Sequence, residues 1–149
     1  MPHSKDLNIS AENLQLIHEL CRARARESFS AFRSWIRPGL ISGWWLRELA
    51  QHLQAFYEDF MAGKRPWLAI LAPPQHGKTT IANDFSAYVA GRNPDKKIIY
   101  SSYGDELGLR ANSELQRTIV SPRFQELFPG TRIGMPSLSG IQDPFATPL

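Results

Sequence analysis

Apolar residues recur along this chain at helical spacing, interrupted by two short runs that are apolar almost throughout. Leu14, Ile17, Cys21, Ala25, Phe29, Phe32, Trp35 and Ile36 fall within an arc of about 120° when successive residues are turned by about 100°. That spacing predicts an amphipathic helix with Ser10 as its cap and a break somewhere before Arg37. Pro38 and Gly39 stop it, because the residue before a proline avoids helical angles. A second helix is expected from about Trp44 to Met61, with Trp45, Leu49, Leu53, Phe56 and Phe60 along one face. Gly63 suits a left-handed closing residue.

The apolar run Trp67, Leu68, Ala69, Ile70, Leu71 lies between Pro66 and the pair Pro73 and Pro74. It is too short for an ordinary helix and reads as a buried parallel strand. A helix should follow from about Gly77 to Gly91, with Ile81, Phe85, Tyr88 and Val89 facing inward. Asn93, Pro94 and Asp95 make a turn, and Lys97, Ile98, Ile99, Tyr100 and Ser101 form the next strand candidate. The helix expected from Asp105 to Val120 buries Leu107, Ala111, Leu115 and Ile119. Ser121 then caps a short helix that begins at Pro122 and runs through Phe128. Strand, helix, strand, helix in that order predicts an α/β fold with a parallel sheet, preceded by two amphipathic helices. From Pro129 onward no period is sustained, so little regular structure is expected.

Composition narrows the class. A chain of 149 residues with 42% hydrophobic and 11% aromatic content has room for about one domain with a real core. No apolar run approaches the roughly 18 residues of a membrane span, and the start carries no secretory leader, so a cytoplasmic location is expected. Cys21 is the sole cysteine, which excludes an intrachain disulfide and assigns it to the apolar helix face as a small buried hydrophobe. His3, His18, His52 and His76 lack metal-ligand spacing. The net charge of +3 is compatible with a nucleic-acid partner but does not select one.

The chemistry concentrates in Ala72, Pro73, Pro74, Gln75, His76, Gly77, Lys78, Thr79 and Thr80. A phosphate-binding loop asks for Gly, four residues, then Gly-Lys-Ser/Thr; here the first glycine is replaced by Ala72. Gly77 lets the backbone approach phosphate oxygens without a Cβ. Amides at the helix start, with the positive end of the helix dipole, can cradle anionic oxygens. Lys78 brings a full charge to the β- and γ-phosphates of ATP, which makes it the candidate catalytic residue, and the Thr79 hydroxyl can ligate Mg²⁺. Thr80 reads as a first-turn helix residue and His76 as loop architecture. On this reading residues 1–43 are an N-terminal helical region, residues 44–133 a partial P-loop ATPase domain, and residues 134–149 an irregular tail. The plainer alternative is a proline-containing turn that happens to carry Gly-Lys-Thr.

The sequence Pro-Pro-x-His-Gly-Lys-Thr is similar to the corresponding loop of phage terminase large subunits. Further matches follow in order. They are Trp44 to Glu48 leading into Leu53 to Phe56, then Asp84-Phe85, Ala87-Tyr88 and Gly91 to Pro94. Tyr100 to Tyr103, Leu109 to Asn112, and Ser121 to Phe124 with Leu127 to Gly130 complete the set. The resemblance covers about residues 28–133. It implies a P-loop NTPase-type fold and an ATP-driven motor for viral DNA packaging. The partners it implies are double-stranded DNA, a portal protein and a small terminase subunit, within a ring-forming homo-oligomer in the bacterial host cytoplasm. Gln75 stands where relatives often carry arginine. A Walker B strand with its catalytic acid and a nuclease domain would lie further on, which suggests a truncated or frame-shifted product. Within the tail, Ile141 to Phe145 resembles such a strand only faintly, with Asp143 as its acid. Hydrolysis by this chain alone is not expected. An inactive remnant serving as an interaction module, or an unrelated P-loop NTPase, are the alternatives.

Other clusters have plainer readings. Arg22, Arg26 and Arg33 lie within about 40° on the first helix and either meet DNA phosphates or form a solvated face. Trp45, Phe56 and Tyr57 either pack in the core or stack on a base. Asp105 and Glu106 are explained by the positive end of a helix dipole.

Overall fold

The computed structural model describes residues 11–133. In it the first apolar stretch is two helices, α1 (Ala11–Glu27) and α2 (Phe29–Ile36), parted at Ser28. Ser28 has extended angles, and its Oγ accepts from the Ala31 amide. The groups freed by this kink are taken up by later elements. The Phe29 amide donates to Gln54 Oε1 at 2.8 Å, and the Glu27 carbonyl accepts from the Tyr88 hydroxyl at 2.7 Å and from Arg92 Nη1 at 3.2 Å. Buried backbone groups need such partners. Four helices follow, namely α3 (Trp44–Met61), α4 (Lys78–Arg92), α5 (Asp105–Val120) and α6 (Pro122–Leu127).

These bounds follow the local signals closely. Gly63, after α3, takes φ +79°. Ser121 Oγ accepts from the Phe124 amide at 3.3 Å, with Pro122 in the first turn of α6. Asn93 to Lys96 close a turn through a 3.0 Å bond. Ser10 and Asp143 lie outside the described residues.

The parallel sheet is not found. Among the described residues there are six helices and no strand. None of the backbone bonds outside the helices involves residues 65–72 or 97–101. The expected α/β fold is therefore corrected to a helical one over this span. Residues 68–71 instead line a cavity of about 310 Å³ beside Trp45, Glu48 and His52 of α3. Trp67, Leu71 and Ile99 are 85%, 89% and 92% exposed. The physical reason is that apolar content marks a segment as able to enter a sheet, while a ladder needs a second backbone alongside.

The core is made by α2 wedged among the other helices, since it packs against α1, α3, α4 and α6. Phe29, Phe32, Tyr88, Phe124 and Leu127 are almost fully buried there. Phe32 meets Tyr88 at 5.3 Å and Phe124 at 6.2 Å between ring centroids, tilted or edge-on as aromatic quadrupoles prefer. The kink also overturns the single apolar arc. From Ala25 to Trp35 the arc is buried and Ile36 is half-buried, but Leu14, Ile17 and Cys21 on α1 are exposed. Cys21 is thus not a core residue. Phe60 and Leu107 are also exposed.

One polar cluster sits inside this packing. Asp84 on α4 is wholly buried. It accepts from Arg33 Nε at 3.0 Å and from Arg37 Nε at 2.8 Å. Arg37 continues to Glu114 on α5 at 3.1 Å, and Asn83 donates to the other Glu114 oxygen at 3.1 Å. Burial pulls the Arg37 guanidinium down, yet the bonds and charge of Asp84, followed by those of Glu114, raise it above its ordinary value. The supposed stripe of Arg22, Arg26 and Arg33 does not exist as one surface. Arg33 is buried on Asp84, and Arg26 donates to the Leu127 carbonyl at 2.8 Å.

Candidate anion-binding loop

The loop between residues 72 and 77 delivers the chain into α4 with its backbone turned twice through left-handed geometry. Gln75 has φ +63° and Gly77 φ +75°. The second value is natural for glycine, which has no Cβ to strike the carbonyl. A non-glycine residue at +63° is uncommon and carries a local cost. Gly77 is the residue before the first helical turn of α4, and no side chain caps that turn. The first internal bond of α4 runs from the Ile81 amide to the Gly77 carbonyl at 2.9 Å. The amides of Gly77, Lys78, Thr79 and Thr80 therefore have no acceptor within the helix. By contrast, α2 and α6 start on serines whose hydroxyls fill this role.

Lys78 folds back over the loop. Its Nζ donates to the carbonyls of Ala72 and Pro73, the latter at 2.6 Å. No carboxylate lies within ion-pair distance of it among the described residues. A full positive charge is thus held by neutral carbonyls, which an anion can replace, and not by a fixed counter-charge. His76 turns its Nδ1 to the Pro74 carbonyl at 2.8 Å, in keeping with a role in loop architecture. Trp45, half-buried at the start of α3, donates from Nε1 to the His76 carbonyl at 3.1 Å. Leu46 stands 3.6 Å from the position a Cβ on Gly77 would take.

The structure brings together Ala72, Pro73, Pro74, His76, Gly77 and Lys78, with exposed Thr79 and half-buried Thr80 following on the first turn. Gln75 is exposed. Of the three aromatics considered for base stacking, Tyr57 is buried with its hydroxyl on Asn93 Oδ1 at 2.7 Å, and Phe56 meets Phe85 edge-on. Trp45 alone of them touches the loop. Sequence reasoning missed that contact because it joins residues on different elements. No group of three or more His, Cys, Asp or Glu side chains converges among the described residues. No described helix is long and apolar enough to cross a membrane. Compared with models of known families, with curated proteins and with solved structures, the chain matches none.

Proposed function

We propose that residues 72–80 bind the phosphates of ATP, and that the chain acts as the ATP-binding part of a terminase-like motor for viral DNA packaging. The observation that carries the phosphate reading is Lys78. Its ammonium lies across its own loop on two exchangeable carbonyls, beside a helix start whose amides lack acceptors. A triphosphate entering there would take over the lysine donors and accept from those amides, with the helix dipole adding to the attraction. Mg²⁺ favours a few protein oxygens and keeps several waters. The exposed Thr79 hydroxyl would supply one such oxygen to the ion.

The wider role rests on the resemblance of ordered motifs over about residues 28–133. Double-stranded DNA, a portal protein, a small terminase subunit and a ring of like subunits are the partners it suggests. The phosphate reading rests on the loop, the lysine and the helix start, since the strand expected before the loop is not found among the described residues.

The test is a titration of the 149-residue chain with a fluorescent ATP analogue, with and without Mg²⁺, alongside Lys78→Ala. The substitution removes charge-assisted bonds and is expected to weaken binding at least about ten-fold. Equal binding by both chains would remove Lys78 from the site. A turnover assay on the same samples then separates binding from hydrolysis.

A further inference from the structure

Trp45 joins α3 to the loop through a single polar contact, from its indole Nε1 to the His76 carbonyl at 3.1 Å. The next peptide plane is the one whose orientation matters most. A trans peptide is planar, and its C=O and N–H point in opposite directions; the described chain has no cis peptide. Drawing the His76 carbonyl toward Trp45 therefore turns the Gly77 amide to the far side. The loop does not enforce that orientation by itself. Glycine accepts either sign of φ at little cost, so the plane before Gly77 can rotate unless something outside the loop holds it. Among the described residues, Trp45 is the donor that holds this carbonyl.

We propose that Trp45 is a positioning residue for the loop. Its indole N–H fixes the His76–Gly77 peptide so that the Gly77 amide is presented to a phosphate oxygen. This rests on the triphosphate reading above and differs from stacking on a nucleobase. Stacking needs the ring, whereas positioning needs the N–H.

Trp45→Phe keeps a ring and deletes the donor; Trp45→Leu deletes both. Each is titrated calorimetrically with Mg²⁺-ATP and with inorganic tripolyphosphate, which has no base. Losing one ordinary hydrogen bond predicts roughly five-fold weaker binding of both ligands by Trp45→Phe. Trp45→Leu is expected to be no worse than Trp45→Phe toward tripolyphosphate. Unaltered tripolyphosphate binding by Trp45→Phe overturns the proposal, even if ATP binding falls, because that pattern belongs to base stacking. Failure of the unsubstituted chain to bind either ligand overturns the phosphate site and the positioning role together. Should Trp45→Phe not fold, the indole N–H resonances of the unsubstituted chain decide. Adding tripolyphosphate must move the Trp45 signal and leave that of Trp35, bonded to the Arg123 carbonyl, in place. A stationary Trp45 signal overturns the proposal.

Discussion

Gly91 shows how a single residue can carry a constraint that its neighbours in sequence do not reveal. Read locally, it marks the end of a helix. In the structure it lies within α4, and a Cβ there would collide with Phe128, 2.6 Å from Cε2 and 2.8 Å from Cγ. Gly91→Ala therefore sets two effects against each other. Alanine favours a helix over glycine by about 0.5–1 kcal/mol, while forcing volume into a packed site costs about 1–3 kcal/mol. The clash should win, and chemical denaturation is expected to show a net loss of stability. A gain would mean that the Phe128 ring moves aside freely. Gly63 was legible from sequence, because what fixes it is the turn of its own backbone. What fixes Gly91 is a ring 37 residues away (128 − 91 = 37).

Between elements, the joint of α2 with α4 and α5 is made by charge inside an aromatic core. Asp84 is shared by Arg33 and Arg37, and the Arg37 Nη2 that meets Asp84 also meets Glu114. Neutralising the shared carboxylate leaves the buried Arg33 guanidinium uncompensated while Arg37 keeps Glu114, and removing one partner of a buried pair is more damaging than never having had the pair. Asp84→Asn is expected to cost about 3–5 kcal/mol in urea unfolding; a loss below about 1 kcal/mol would show that the cluster relaxes into water. Helical periodicity could not reveal this joint. It sorts apolar positions to one face and assigns charged ones to solvent, so Arg33 read as part of an exposed stripe. The apolar half of the same interface was legible, since Phe29, Phe32, Ile81 and Tyr88 lie where the arcs of α2 and α4 placed them. The kink at Ser28 was expected only as a break at some point before Arg37. Its position matters because it turns Leu14, Ile17 and Cys21 out of the core that begins at Ala25.

For the molecule as a whole, the main question is whether stability depends on the two apolar runs. In a parallel sheet, Leu71 and Ile99 would be central, and cutting them back would cost about 2–5 kcal/mol each. In the helical arrangement they are 89% and 92% exposed, and exposed substitutions usually change stability by less than about 0.5 kcal/mol. Leu71→Ser and Ile99→Ser are therefore expected to leave the thermal unfolding midpoint close to that of the unsubstituted chain. A large drop in either would return those segments to a core.

The sequence alone determined the extents of α3, α4 and α5 and the caps at Gly63 and Ser121. Each of these depends on residues within a few positions of one another, where backbone sterics and hydrogen bonding act locally. Only the tertiary structure decided that Asp84 is shared by two arginines, that Trp45 holds the His76 carbonyl, and that neither apolar run finds a ladder partner among the described residues. Those outcomes depend on which distant groups meet after the helices pack, and such contacts leave no period in the chain.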